Sequence, residues 1–181
     1  MANWNQILLE IERNRVDHQS AANQSFDVVR RKYLKQLSHH TGRNVIAYYS
    51  SFLSKPNIEG IDIVDDDKNG FMLNVHQLDR SKGLDLIIHT PGGNIAATES
   101  LIHYLRQMFG NDIRAIVPQI AMSAGTIIAC SCKSIIMGKQ SNLGPIDPQI
   151  NGIPAVMVRK EIVKAYEEIR RDPGMAQIWA P

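Results

Sequence analysis

A chain of 181 residues is long enough to form one domain with a full hydrophobic core. Its formal net charge is +2 and its basic residues fall only in short clusters, which excludes the concentrated basic face of a nucleic-acid-binding protein. No window approaches the roughly 20 apolar residues of a membrane-spanning helix, and the first residues lack the apolar core of a signal peptide. We therefore expect a cytoplasmic protein without stable membrane insertion.

The first 40 residues are predicted to form a helical arm, followed by a main domain over residues 41–181. Apolar residues recur at helical spacing in two segments, which a polar stretch from His18 to Asn23 separates. These apolar residues are Trp4, Ile7, Leu8, Ile11, Phe26, Val29, Leu34 and Leu37. We expect a neighbouring copy of the chain to cover this stripe. An interfacial membrane helix is the less favoured alternative, because the polar face is acidic as well as basic.

Apolar strands then alternate with helical patterns along the chain. The predicted strands are Asn44–Ser50, Leu84–His89, Ile113–Val117 and Ser134–Gly138, and the predicted helices begin near Asp65, Ala96 and Ile127. This alternation predicts a parallel sheet with right-handed crossovers. Because working loops follow the carboxyl ends of parallel strands, the Gly92-Gly93 turn and Ser123 are expected at one edge of the sheet.

The residue pattern argues against a calcium site and against a zinc site. The acidic run from Asp65 to Asp67 resembles a calcium-binding loop, but position twelve is His76, where an EF-hand needs a bidentate glutamate. The run suits a helix N-terminus instead, with Phe71, Val75 and Leu78 buried behind it. Cys130 and Cys132 are too few for a disulfide framework or a zinc site, and we expect both as buried thiols.

The end of the chain contains a shaped loop and a final helix. Residues Ser141–Pro154 are dense in proline, glycine and asparagine, and this composition predicts an irregular segment. A helix is predicted over Val156–Arg171, ended by Pro173 and Gly174. Apolar residues continue to the last position, so the natural protein is expected to be longer at its C-terminus.

Ser123 is the candidate nucleophile because it lies in a small-residue turn between a strand and a helix. Free backbone N–H groups and the positive end of a helix dipole surround such a hydroxyl. A serine nucleophile needs a base and donors for the oxyanion, and the diglycine turn and the N–H of Ala124 can supply those donors. A helix-capping serine is the alternative interpretation.

Three motifs, in order and at matching spacing, resemble the Clp-protease/crotonase superfamily over residues 44–171. They are Thr90-Pro91-Gly92-Gly93, Ala121-Met122-Ser123-Ala124-Gly125-Thr126 and Leu143-Gly144-Pro145-Ile146-Asp147-Pro148-Gln149. Within that superfamily the chain is most similar to the serine dehydrogenase proteinase family of Clp-like serine peptidases. The resemblance implies an α/β fold of repeated β-β-α units with a mostly parallel sheet, here preceded by the helical arm. Ala121 departs mildly from the glycine that a hydrolase elbow often has at this position.

The resemblance also implies roles for individual residues. Ser123 would be the nucleophile of a serine endopeptidase, and Gly93 with Ala124 would form the oxyanion hole, with no cofactor and no metal. Two alternatives are open for the base, because every histidine precedes Ser123. Asp147 would be the acidic member of a Ser, Asp, His series whose histidine follows Pro181. A serine–lysine dyad with Lys164, or with Lys160 as second choice, is the alternative.

The resemblance implies a homo-oligomer that acts on a peptide or an unfolded protein. Two alternatives remain: a non-catalytic assembly module of the same fold, and a crotonase-type acyl-CoA enzyme. Ser123 argues against acyl-CoA chemistry, which needs no nucleophile. A nicotinamide-dependent dehydrogenase lacks support, because no G-x-G-x-x-G follows a strand.

Overall fold

The computed structural model describes residues 3–17, 22–55, 58–150 and 153–179. The chain divides into two compact units, one up to Gly144 and the other from Pro145. The helices are α1 Trp4–Asp17, α2 Ala22–Thr41, α3 Asp65–Val75, α4 Ile95–Phe109, α5 Ala124–Cys130, α6 Ala155–Arg171 and α7 Ala176–Trp179. The strands are β1 Asn44–Tyr49, β2 Leu84–His89, β3 Ile113–Val117, β4 Ile120–Ala121, β5 Ser134–Met137, β6 Asn142–Leu143, β7 Gln149–Ile150 and β8 Ile153–Pro154.

The first unit is built on a four-stranded sheet in the order β1-β2-β3-β5, with every neighbouring pair parallel. The predicted α/β architecture with a mostly parallel sheet and N-terminal helices is thereby confirmed. In β2, Leu84, Leu86 and Ile88 lie on one face, each at most 1% exposed. They form the core with apolar residues of β3, α3, α4 and α5. A nearly continuous apolar run is typical of such a central parallel strand.

The opposite face of β2 carries a buried charge near its start. The carboxylate of Asp85 is fully buried and accepts hydrogen bonds from Arg43 at 2.8 Å and from Arg114 at 2.6 and 2.7 Å. Arg43 also binds the Asp112 carboxylate at 2.9 Å. Burial alone would raise the pKa of Asp85, but the hydrogen bonds from Arg114 and Arg43 outweigh it and hold the pKa below its usual value. Through this network Arg43, just after the helical arm, is joined to strands β2 and β3.

The N-terminal arm packs on the sheet of the first unit through its second helix. Helix α1 packs against α2, where Glu10 accepts a hydrogen bond from Lys32 at 2.5 Å, and α2 packs against β1. Val29 of α2 is buried, whereas Trp4 is 69% and Phe26 is 47% exposed. The sheet therefore covers only part of the apolar stripe. The polar stretch predicted between the helices lies partly outside the described residues.

Helix α3 begins where the acidic run predicts a helix N-terminus. The carboxylate of Asp67 accepts hydrogen bonds from the Val64 N–H at 2.8 Å and from the Tyr48 hydroxyl at 3.0 Å. Phe71 and Val75 are buried as predicted, while Leu78 is half-buried beyond the end of the helix. Carboxylates at this position satisfy N–H groups that the first helical turn leaves free.

The prediction that both cysteines are buried is wrong for Cys130, which is exposed at the end of α5. Helix α5 has only seven residues, and Ile128 and Ala129 define its buried side, so its last residue turns toward solvent. Cys132 is half-buried, and burial raises the pKa of its thiol to about 11.

The segment predicted to be irregular, Ser141–Pro154, contains three short strands. Strand β6 pairs in parallel with β4 in the first unit, and β7 pairs with β8 as an antiparallel hairpin in the second. The hairpin leads directly into α6, which occupies nearly the predicted range. Within the described residues, no helix combines the length and the apolar character needed to cross a bilayer.

Candidate active site

Backbone pairing brings the diglycine turn and the serine turn together. Thr90 follows β2 and forms a parallel bridge with Ala121 of β4. Its N–H donates to Ile120 O at 3.1 Å, and its carbonyl accepts from the Met122 N–H at 3.0 Å. Both turns therefore leave the same edge of the first unit, as the order of strands and helices predicts.

The contact between the two turns is close enough to require glycine. A Cβ atom added at Gly92 would lie 2.8 Å from the Ser123 Cβ and 3.0 Å from the Met122 carbonyl oxygen. Gly92 also has φ +117°, a backbone conformation that other residues rarely adopt. The missing side chain lets the backbone of one turn lie directly against the serine of the other.

Ser123 has a strained backbone. Its φ of +48° and ψ of −114° make it the one positive-φ residue other than glycine in the described part of the chain. Such conformations cost about 1–3 kcal/mol and persist where the surroundings over-determine them, often at functional sites. A strained strand-to-helix turn is also the geometry that exposes a nucleophilic serine in hydrolases.

The capping interpretation of Ser123 fails in this geometry. Ser123 occupies the position before α5, but its side chain forms no capping hydrogen bond to that helix. The side chain is half-buried. Its hydroxyl is therefore not committed to the role that most serines have at a helix start.

Gly93 is held from the side by Ile63, a residue to which sequence reasoning assigned no role. The Ile63 N–H donates to Gly92 O at 2.8 Å, and the Ile63 carbonyl accepts from the Asn94 N–H at 2.8 Å. A Cβ on Gly93 would collide with the Ile63 backbone. Only glycine therefore fits at this parallel bridge. The pairing with Ile63 fixes the orientation of the diglycine turn.

Each of the two turns presents a backbone donor that this pairing leaves free. Among the residues that the structure describes, the N–H groups of Gly93 and Ala124 have no acceptor. Ala124 is buried, and Gly93 is half-buried. Ala124 begins α5, where the N–H groups of the first turn have no intrahelical partner, and its N–H and that of Gly93 are therefore free to bind an oxygen atom of a ligand.

The two proposed partners of Ser123 lie in the second unit. Asp147 precedes β7 and is half-buried. Lys164 lies on α6 and is exposed, with its Nζ 5.6 Å from the centre of the Trp179 ring. Lys160, on the same helix, is also exposed. A lysine base needs a desolvated site, which the second unit by itself does not give Lys164.

His89 is the histidine nearest in sequence to the diglycine turn. Its ring stacks on Phe52 with a centroid separation of 5.0 Å, and its Nδ1 is buried without a hydrogen-bond partner among the described residues. It shares the face of β2 that carries Ile87, opposite to the face of the core residues. This packing agrees with its interpretation as a strand residue.

The profile of the ClpP-like SDH-type serine proteinase family matches residues 16–175. The chain belongs to this family. The match contains the N-terminal helix α2, both turns and helix α6. The family resemblance inferred from the three sequence motifs is thereby confirmed.

Relatives of this family member come from an archaeon. The chain is 34% identical to the uncharacterized protein MJ0137 of Methanocaldococcus jannaschii over 146 residues, which are 78% of this chain and 49% of MJ0137. It is 30% identical to the uncharacterized protein MJ1495 of the same organism over 145 residues, 77% of this chain and 49% of that protein. The chain thus spans about half the length of the curated relatives it matches.

A solved structure is also similar to part of the chain. The ClpP protease catalytic domain from Plasmodium falciparum aligns with 51% of this chain and 53% of its own, with 15% identity and a TM-score of 0.38.

Proposed function

We propose that this family member is a serine endopeptidase whose nucleophile is Ser123. Gly93 and Ala124 supply the oxyanion-binding N–H groups. One observation carries the proposal: a strained serine without a capping bond lies against a diglycine turn, and one N–H group beside each has no acceptor among the described residues. Membership of a ClpP-like serine proteinase family supports it.

The reaction follows from these positions. A base removes the proton from the Ser123 hydroxyl as its oxygen attacks the carbonyl carbon of the peptide. The carbonyl oxygen becomes an oxyanion, which the N–H groups of Gly93 and Ala124 stabilise. The intermediate expels the amine, which takes the proton from the base, and leaves an acyl group on Ser123. Water, activated by the same base, then releases the acyl group and restores the serine.

A serine-reactive fluorophosphonate probe tests the nucleophile. We expect Ser123 Oγ of the wild-type chain to bond to the phosphorus of the probe as fluoride leaves it and the hydroxyl proton is lost, because the probe presents a phosphoryl oxygen that the oxyanion hole can bind. Ser123→Ala should remain unlabelled, whereas Ser131→Ala, a matched variant at the end of α5, should label like wild type. Intact-mass measurement reads the result.

Failure of this experiment has a definite meaning. If this chain and a chain extended beyond Pro181 both stay unlabelled, the proposal is contradicted and a non-catalytic assembly module of the same fold is favoured. Labelling that persists in Ser123→Ala assigns the reactivity to another residue. Tight binding of an acyl-CoA without labelling would favour the crotonase alternative.

We propose Asp147 as the acidic member of the catalytic group, with Lys164 as the alternative base. Asp147 belongs to the Leu143–Gln149 motif, which follows β5 in the order that the family resemblance implies. Lys164 follows on α6. Both assignments concern the second unit, and each makes a different residue essential.

Substitution separates these assignments. Asp147→Asn should leave the fold intact and lower the rate of probe labelling by about 100-fold, the lower end of general acid–base contributions. Lys164→Met and Lys160→Met should have little effect if Asp147 acts with a histidine, with Arg159→Met, which removes another exposed positive charge from α6, as the matched control. Unchanged labelling of Asp147→Asn would remove Asp147 from the mechanism, and loss of labelling only in Lys164→Met would establish the dyad.

We also propose that the protein is a cytoplasmic homo-oligomer that cleaves peptides or unfolded proteins. The apolar residues that the N-terminal arm leaves exposed, among them Trp4, Leu9 and Phe26, support contacts between copies. Enclosure by an oligomer would restrict the site to extended chains.

A further inference from the structure

We infer that Thr126 is a positioning residue of the proposed catalytic site, where its hydroxyl holds the Ser123 turn in its strained conformation. The inference rests on the proposed function of Ser123. The Thr126 side chain need not touch the substrate. It acts on the conformation of the backbone before and after Ser123.

The hydroxyl of Thr126 joins two segments that are distant in sequence. Its Oγ1 donates to the carbonyl of Ala121 at 2.7 Å and accepts the Gly144 N–H at 3.0 Å. The side chain lies in the first turn of α5 and is only 6% exposed. Through this one buried oxygen, helix α5 is hydrogen-bonded both to the strand before Ser123 and to the residue that follows β6.

The two hydrogen bonds of the Thr126 hydroxyl satisfy backbone groups that bind each other only weakly. Without the hydroxyl, the buried Ala121 carbonyl and the Gly144 N–H retain only their mutual contact at 3.3 Å. A buried polar group that loses its partner is costly, so the segments would shift to recover hydrogen bonds. Because Ala121 is two residues before Ser123, such a shift reaches the strained turn directly.

Gly125, the residue before Thr126, lets the same helix pack closely against Thr90, which precedes the diglycine turn. A Cβ on Gly125 would collide with the Thr90 side-chain methyl group. The Thr90 hydroxyl in turn accepts the Gly92 N–H at 3.2 Å. The first turn of α5 is thus packed between the oxyanion turn on one side and Gly144 on the other, and Thr126 supplies the bonds to the second of these.

Thr126→Val tests the inference, because valine keeps the branched shape and removes the hydroxyl. Thr126→Ser restores the hydroxyl. Ser38→Ala is the matched control, since its hydroxyl also donates to a backbone carbonyl, that of Arg43 at 2.7 Å, at the end of α2. The first readout is amide hydrogen exchange in the native state, which does not depend on any catalytic activity.

We expect exchange of the Met122 and Gly144 N–H groups to be at least about 10-fold faster in Thr126→Val and near wild type in Thr126→Ser. Ser38→Ala should leave both amides unchanged. Unchanged exchange in Thr126→Val would overturn the inference, whether or not the wild-type chain reacts with the probe.

The second readout is the rate of fluorophosphonate labelling, measured well below the unfolding temperature of each variant. Thr126→Val should label about 10- to 100-fold more slowly, because small displacements of a reacting group have effects of this size. Thr126→Ser should recover most of the rate. Faster exchange with an unchanged labelling rate would show a purely structural role and overturn the positioning role. If this chain and a chain extended beyond Pro181 both stay unlabelled, the proposed function is contradicted instead, and exchange alone then decides whether Thr126 holds the turn.

Discussion

Gly92→Ala is expected to reduce fluorophosphonate labelling by at least about 100-fold, the loss that a displacement of about 1 Å can cause in a reacting group. The added methyl group would lie 2.8 Å from the Ser123 Cβ and 3.0 Å from the Met122 carbonyl. Neither atom is the end of a flexible side chain, so the serine turn itself must move. The positive φ of Gly92 adds strain, and we expect a total loss in the free energy of unfolding of about 2–3 kcal/mol.

Gly110→Ala is the control that separates backbone strain from displacement of the nucleophile. Gly110 also has a positive φ, of +60°, but a Cβ there has no atom within 4 Å. This variant should lose about 1–3 kcal/mol of stability from strain and label at the wild-type rate. Equal labelling of the two variants would show that the diglycine turn does not position Ser123.

Asp85→Asn is expected to cause the largest loss of stability among the polar substitutions considered, about 3 kcal/mol in the free energy of unfolding. The carboxylate is fully buried between two guanidinium groups, and removal of its charge leaves Arg43 and Arg114 without their shared partner. The lower end of the range for buried pairs applies, because these arginines are 15% and 30% exposed. Urea denaturation measures the change.

The buried carboxylate of Asp85 also makes the stability of the protein depend on pH, with a definite sign. Because the folded pKa of Asp85 lies below its unfolded value of about 3.9, its contribution is complete above that value and is lost as the pH falls below about 4. Wild type should therefore lose stability more steeply than Asp85→Asn in this range.

Asp27→Asn is the control for the loss of stability. It removes an exposed helical ion pair with Arg30 and should cost less than about 0.5 kcal/mol. A similar cost for both variants would contradict the buried network.

The sequence predicted the parts of the fold that depend on local pattern. The apolar runs of β2 and β3 and the acidic start of α3 each carry a periodicity or a capping signal, and the structure places these elements within a residue or two of the predicted bounds. The meeting of the two turns also followed from sequence, because parallel strands place their carboxyl ends together.

The contacts that hold the turns could not be predicted in the same way. Ile63 pairs with the diglycine turn from a loop 29 residues upstream of Gly92, and the Thr126 hydroxyl binds Gly144, 18 residues away. No periodicity marks such pairs, because they depend on tertiary register. The exposure of Cys130 was missed for a related reason, since a helix of seven residues is too short to show which side is buried.

The central claim is that Ser123 attacks a carbonyl whose oxygen binds two N–H groups from separate turns. A crystal structure of the fluorophosphonate-treated protein tests this most directly. We expect phosphorus bonded to Ser123 Oγ, with the phosphoryl oxygen about 2.7–3.1 Å from the nitrogen atoms of both Gly93 and Ala124. An adduct on another residue, or a phosphoryl oxygen that binds neither nitrogen, would contradict the account.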